Sequence, residues 1–315
     1  MLSKYSCYGA LVSFFISFTV YGGELALVVD DIGYQLKQES FLLEMPAAIS
    51  LAVLPNAPYA HMLATKAHQH GHEVLIHLPM APLKPQSLEK DTLYPDMSLA
   101  EISRIIREAT EKVPYAAGIN NHMGSAMTRS LPGMQKVMRV LTNYHYYFLD
   151  SMTIGDSQSV QASKGTGVPV IRRQIFLDND RNEAAIRKQL QLAVNLARRN
   201  GRAVAIGHPY PSTIRVLQQM IPALPPDITL VSPGMLVNQI MSTDGMTSSV
   251  YPAAEVANSH RSGYAGEVCI SKQPLPAIPP VRILELVCES IVSSPLAGWF
   301  TTHLSSTKME PKDSK

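Results

Sequence analysis

Residues that bind metals or move protons stand directly behind one apolar run after another in this chain. Asp30-Asp31 follows Leu25 to Val29, and Pro55-Asn56 follows Ala48 to Leu54. His77 closes the run that begins at Val74, and Asn120-Asn121-His122 follows Ala116 to Ile119. Asp150-Ser151 follows Tyr146 to Leu149, Asp178 follows Val168 to Leu177, and His208 comes just after Ala203 to Ile206. One such residue says little. Their repetition points to one shared site, because parallel α/β folds gather their sites at the carboxyl ends of strands.

Asp30 and Asp31 are the most informative pair. Two adjacent carboxylates directly after a buried strand are costly unless a metal or hydrogen bonds compensate. Adjacent side chains diverge along a strand, so one carboxylate can hold a metal while the other faces a water. A helix N-cap followed by a first-turn acid accounts for the pair equally well. His77 at a strand end suits a metal as a neutral imidazole; the alternative is a buried ring bonded to backbone. His61, His68, His70 and His72 fall on a helix or its end and read as solvated surface residues. The amides of Asn120 and Asn121 can orient a substrate or a metal ligand, and His122 adds an imidazole beside Gly124. Asp150 can hold the second nitrogen of a histidine or cap the helix that follows it.

The elements that must position these residues are legible as periodicity. Five consecutive apolar residues, Leu25 to Val29, predict a strand buried on both faces. The other runs named above, and Ile228 to Val231 after them, predict further strands. Helical patterns separate most of them. Ser98-Leu-Ala-Glu101 is a capping box that opens a helix with Ile102, Ile105, Ile106 and Ala109 on one face. Asp180, with Glu183 three residues on, predicts the start of another, whose stripe runs through Ile186, Leu190, Val194 and Ala197 to Gly201. Alternating units of this kind imply a parallel sheet with right-handed crossovers. About eight strands favour a closed or nearly closed (β/α) barrel over a doubly wound open sheet.

Composition sets the outer limits. The chain has 315 residues, 46% of them hydrophobic and 17% charged, which suits one large α/β domain or two small ones. A net charge of +2, with no RNA-binding or zinc-finger signature, argues against nucleic acid as a partner. Residues 1–22 read as a secretory signal: Lys4, an apolar run from Tyr8 to Val20, then Gly22 and Gly23 as small residues for cleavage. Val20 and Gly22 depart from the Ala-x-Ala pattern, so an N-terminal membrane anchor is the alternative, although the run falls short of the ~20 residues a span needs. Cys7 would leave with the signal; Cys269 and Cys288 either pair in an oxidising compartment or remain thiols. The stretch 239–315 reads as a low-complexity, disordered tail, rich in small residues from Thr243 to Ser262 and carrying four prolines between Pro274 and Pro280. Within it, Ile283 to Val292 is apolar enough for a terminal helix.

Val28-Val-Asp-Asp-Ile-Gly33, His77-Leu-Pro-Met80, Gly118-Ile-Asn-Asn-His-Met-Gly-Ser125, Phe148-Leu-Asp-Ser151 and Gly207-His-Pro209 together resemble the divergent polysaccharide deacetylase family. The resemblance runs from Leu25 to Leu236. It implies a distorted NodB-like (β/α) barrel over residues 23–238 and a bacterial, periplasmic protein. Through the broader polysaccharide deacetylase pattern it also implies Asp30 as general base, Asp31 and His77 as metal ligands, and His208 as the acid that protonates the leaving group. Where the broader family has a further histidine, this chain has Ala81, and His122 is the replacement ligand. The Arg-x-Pro motif is missing, and Asn120-Asn121-His122 occupies that part of the chain.

The function so implied is metal-dependent removal of N-acetyl groups from an envelope polysaccharide or peptidoglycan. The ion is divalent, Zn²⁺ by its Asp and His donors, and the substrate is an N-acetylated glycan. The departures leave a second reading, a catalytically inactive, metal-containing envelope module that binds a glycan or a protein partner. A metal phosphoesterase is disfavoured, since no phosphate-clamping arginine cluster or Gly-rich loop is evident. N-terminal sequencing of the protein from an envelope fraction should begin near Gly22 or Gly23; a cytoplasmic protein that retains Met1 would contradict the signal reading.

Overall fold

A computed structural model describes residues 22–239. The expected signal segment up to Tyr21, the three cysteines and the expected tail from Ile240 onward lie outside the described residues.

The strands are β1 (Gly23–Ile32), β2 (Ser50–Val53), β3 (Val74–Met80), β4 (Ala116–Met123), β5 (Tyr147–Asp150), β6 (Val170–Arg172), β7 (Ile175–Phe176), β8 (Arg202–Gly207) and β9 (Ile228–Val231). Between them run α1 (Leu36–Glu39), α2 (Ala60–Gln69), α3 (Leu99–Lys112), α4 (Ser125–Arg129), α5 (Leu131–Leu141), α6 (Ser159–Ser163), α7 (Glu183–Asn200) and α8 (Pro211–Met220). The sheet order is β6-β5-β4-β3-β2-β1-β8-β7, all parallel, with β9 beside the first half of β1. This is the distorted (β/α) barrel that the sequence implies.

The distortion lies where the ring closes. The run Val168 to Leu177, expected as one strand, pairs first with β5 and then with β8. The switch takes two residues: Arg173 donates its N–H to the Asp150 carbonyl, and Gln174 donates to the Val204 carbonyl. One extended segment therefore joins the two edges of the curled sheet.

Side-chain parity divides the strands into two faces. Leu25, Leu27 and Val29 of β1 face outward with Val74, Ile76, Ile119, Phe148, Ala203 and Ala205, against the helices. Ala26, Val28, Ala52, Leu75, Leu149, Ile171, Val204 and Ile206 fill the barrel interior. At the amino end, the Glu73 carboxylate accepts from the hydroxyls of Tyr147, Ser50 and Ser232 and from the Gly234 N–H.

The helices follow their signals, with one shift. The capping box at Ser98 and Glu101 forms, and Ile102, Ile105, Ile106 and Ala109 are buried. α7 ends on Gly201 in the left-handed conformation, but its N-cap is Asn182, whose side chain accepts from the Ala184 N–H. Asp180, expected as the start, instead accepts from the Asn182 N–H and shapes the turn before the helix. His72 also departs from expectation: it is buried, with its two ring nitrogens against the carbonyls of Ile49 and Leu43, while His61, His68 and His70 are exposed. Asn182→Ala should cost about 1 kcal/mol of stability, measured as a shift in the chemical unfolding midpoint. An unchanged midpoint would remove Asn182 as the cap.

Candidate metal centre

The interior parity of the barrel, continued two residues up each strand, gives most of the site. Ala26-Val28 leads to Asp30, Leu75 to His77, Leu149 to Ser151, Ile171 to Arg173, and Val204-Ile206 to His208. On β4, Ile119 faces outward, so Asn120 and His122 face in.

Asp31 has the wrong parity for the site and reaches it through a backbone irregularity. Its φ is +58°, and the β1–β2 register slips between Val29 and Ile32. A non-glycine residue in this region is uncommon, with Asp and Asn the usual exceptions. The two carboxylates therefore do not diverge as a regular strand would have them. They meet opposite edges of one ring: His77 Nδ1 lies 3.7 Å from Asp30 Oδ2, and His77 Nε2 lies 3.2 Å from Asp31 Oδ1.

Three donor atoms form a triangle. His77 Nε2, His122 Nδ1 and Asp31 Oδ1 are separated by 3.2, 2.9 and 3.1 Å. Ligands about 2.0–2.2 Å from one divalent ion stand roughly 2.8–3.6 Å apart, for ligand–ion–ligand angles from about 90° to the tetrahedral value. Asp31 Oδ1 is buried and lacks a hydrogen-bonding partner in spite of these short contacts. An orphaned buried carboxylate oxygen between two imidazole nitrogens fits a divalent cation, and Asp and His donors suit zinc.

Asn120 sets the tautomer of His77. Its Oδ1 lies 2.8 Å from His77 Nδ1, and its Nδ2 donates to Asp30 Oδ1 at 2.7 Å. A carbonyl-type oxygen only accepts, so Nδ1 carries the proton and Nε2 turns its lone pair to the triangle. Asp30 is 2% exposed, and among the described residues its hydrogen bond comes from Asn120, not from a helix N-terminus. The N-cap alternative for this residue therefore does not describe the structure.

The charges are strongly coupled. Burial pushes the Asp30 carboxyl above its ordinary range, opposed by His77, His208 and Asn120. Burial works the same way on Asp31, but the imidazoles of His122 and His77 outweigh it and hold that carboxyl well below the usual carboxylate range. Burial would lower His77, yet Asp30 and Asp31 push it up to about 9. That proton and a metal compete for the same lone pair.

His208 stands on the other side of Asp31, its Nε2 3.8 Å from Asp31 Oδ2. Its Nδ1 lies 2.9 Å from Asp178 Oδ1, and Asp178 Oδ2 accepts from the His208 N–H and the Thr213 hydroxyl. Burial pulls His208 down, but Asp178, Asp30 and Asp31 raise it above its ordinary value. Asp178 thus holds the second nitrogen of His208, the role the sequence offered to Asp150. Asp150 has outward parity and accepts from the Met152 N–H and the hydroxyls of Ser157 and Ser159; among the described residues no histidine is its partner. Asn121 also has outward parity, donating to the Met123 carbonyl and accepting from the Ser151 N–H. Asn120 couples His77 to Asp30, whereas Asn121 and Asp150 hold the loops around them. Ser151 and Asp178 are among the strand-end residues of the sequence, without a role assigned; sequence reasoning misses Arg173, and interior parity continued from Ile171 is the signal that finds it.

Residues 27–237 match the model of the divergent polysaccharide deacetylase family. The chain belongs to that family. It is similar to the uncharacterized protein YibQ of Escherichia coli (strain K12), at 51% identity over 301 residues, covering 95% of this chain and 93% of that protein. An uncharacterized protein of Haemophilus influenzae is 41% identical over 222 residues, covering 70% of this chain and 79% of its own length. Among solved structures, the uncharacterized protein ATU2773 of Agrobacterium tumefaciens C58 has the same fold, with a TM-score of 0.65, 22% identity, and coverage of 69% of this chain and 89% of that one.

Ala81, where the resemblance expects a further histidine in the broader family, offers no side-chain ligand atom. Ala81 is buried, and its carbonyl accepts from Ala126 and Met127 at the start of α4. The second imidazole comes from β4 instead, whose end is turned by Met123 at φ +53° and Gly124 at φ +97°. A Cβ on Gly124 would stand 2.9 Å from the Met80 Cβ.

Zinc titration of the metal-free protein should show about one ion per chain, and His77→Ala or His122→Ala should abolish that stoichiometric binding. Asn120→Ala keeps all three donors yet should weaken affinity by about 10–100-fold. Wild-type affinity in Asn120→Ala, with its unfolding midpoint checked alongside, would show that the tautomer lock is not needed.

Proposed function

We propose that this protein is a metal-dependent hydrolase that removes N-acetyl groups from a glycan of the bacterial envelope, acting after export to the periplasm. The carrying observation is the position of Asp30. It is buried beside the triangle, and Asn120 and His77 hold it back from the ligand position that Asp31 takes. A metal site with a purely structural role gains nothing from a second buried carboxylate, which adds repulsion and desolvation cost. Membership of the divergent polysaccharide deacetylase family supports an acetylated glycan as the substrate.

A divalent ion in the triangle would polarise the acetamide carbonyl and acidify a water. Asp30 is placed to accept a proton from the attacking water, in the role of general base. The water oxygen adds to the carbonyl carbon first, and the C–N bond breaks as the tetrahedral adduct collapses, so that acetate and a free amine leave. His208 is placed to give the departing nitrogen its proton from Nε2, because Asp178 occupies Nδ1. Asp178 and Thr213 keep that ring from turning.

The two neighbouring carboxylates should separate in experiment. Asp31→Asn keeps a residue that tolerates the left-handed backbone, so its loss of metal reads as lost ligation, not strain. Asp30→Asn should retain zinc while acetate release from an N-acetylated glycan falls by about 10²–10⁴-fold. Full turnover in Asp30→Asn would remove it as the base. A wild-type protein that holds zinc and releases no acetate from such glycans would favour the non-catalytic binding module.

A further inference from the structure

One wall of the site is a row of stacked groups with a guanidinium at each end. Arg173 lies 4.9 Å from the Phe176 ring centroid, and Phe176 meets the edge of His208 at 5.3 Å. His208 stacks on Tyr210 at 5.5 Å, and Arg181 lies over Tyr210 at 3.8 Å. The two arginines differ in what their donors do. Arg173 is partly buried, and its Nε and Nη2 donate to the carbonyls of Ser151 and Met152. Arg181 is exposed, and among the described residues its hydrogen bond goes to the Tyr210 hydroxyl, at 2.9 Å.

The carboxylates around Arg181 are engaged elsewhere. Asp180 accepts from the Asn182 N–H, Asp178 serves His208 and Thr213, and Glu183 pairs with Arg187 and Arg215. No carboxylate lies within ion-pair distance of Arg181 among the described residues. Its guanidinium is nevertheless fixed in place by the ring beneath it and the hydroxyl beside it. Pre-organised in this way, it loses little freedom when it binds an anion. The Tyr210 hydroxyl accepts from Arg181, which leaves its own proton to donate. In the connection after β3, Glu89 accepts from the Tyr34 hydroxyl, so its charge is engaged there and not with Arg181.

We propose that Arg181 and the Tyr210 hydroxyl form an anion subsite one ring removed from His208, and that it takes a carboxylate carried by the same N-acetylated sugar or its neighbour. The sugar's identity rests on the hydrolase reading above; the subsite rests on the wall itself. A guanidinium edge matches a carboxylate through paired N–H donors. The substrate so selected is an acidic amino-sugar glycan, not a neutral one.

The test is binding to the zinc-loaded protein, read by calorimetry and independent of turnover. The probes are N-acetylmuramic acid, which carries a carboxylate next to its acetamide, its uncharged methyl ester, and N-acetylglucosamine 6-phosphate. The acid should bind about tenfold more tightly than the ester, as expected for one charge-assisted contact, and more tightly than the phosphate. Arg181→Gln should bring acid and ester to the same affinity, and Arg181→Lys should restore part of the difference. Equal binding of acid and ester by the wild type overturns the subsite, as does failure of the acid to bind. A preference that survives Arg181→Gln places the anion on the ion or elsewhere and overturns it too. Tighter binding of the phosphate overturns the carboxylate assignment. An Arg181-dependent preference without acetate release counts against the hydrolase reading alone; acetate release without that preference counts against the subsite alone.

Discussion

The ring of His77 is shared between two carboxylates, and the upper rim of the barrel is arranged around that sharing. A buried imidazole has two nitrogens, and here each faces a different acid: Asp30 at Nδ1 and Asp31 at Nε2. Asn120 decides between the edges, because its carbonyl oxygen takes the Nδ1 proton while its amide holds Asp30. The lone pair of Nε2 is thereby committed to the side where His122 and Asp31 stand. Two adjacent carboxylates, Asp30 buried and Asp31 half-buried, repel each other and lose hydration. The arrangement is tolerable because one lies against cation-binding geometry and the other against an amide donor.

The barrel delivers these groups by a simple rule with one exception. Interior parity carries Asp30, His77, Asn120, His122 and His208 to the mouth from strands whose lower halves are apolar. Asp31 breaks the rule through its positive φ and the register slip of β1. A strained residue at a ligand position persists only where its surroundings over-determine it. Here the flanking strand and the two imidazoles do so. Switching the closing segment from β5 to β8 serves the same end, because it brings Arg173, Phe176 and Asp178 around His208.

Much of this was legible in the sequence, for identifiable reasons. A run such as Leu25 to Val29 announces a buried strand, and a polar residue after it marks a strand end, so Asp30, His77, His122 and His208 stood out from periodicity and position. Capping at Ser98 is local chemistry and was equally readable. Partnership was not. Asp150 and Asp178 are both single acids behind apolar runs, and only the three-dimensional neighbours show that one holds serines and the other a histidine. His72 lies in a histidine-rich helical stretch, yet it is buried because the chain folds Leu43 and Ile49 over it. The convergence of Asp30 and Asp31 depends on one backbone angle, which the residue types permit but do not dictate.

Family membership and barrel agree with a deacetylase-type fold, and the site adds what this chain makes of it: an imidazole from β4 beside His77 and Asp31, and an asparagine between His77 and Asp30. The central claim is that one divalent ion occupies the triangle with His77 bound through Nε2. Anomalous diffraction at the zinc edge from zinc-soaked crystals tests it most directly. A single strong peak is expected about 2.0–2.2 Å from His77 Nε2, His122 Nδ1 and an Asp31 oxygen, with Asp30 still bonded to Asn120. A peak ligated by Asp30 or by His77 Nδ1, or an ordered triangle with no peak at saturating zinc, would contradict it.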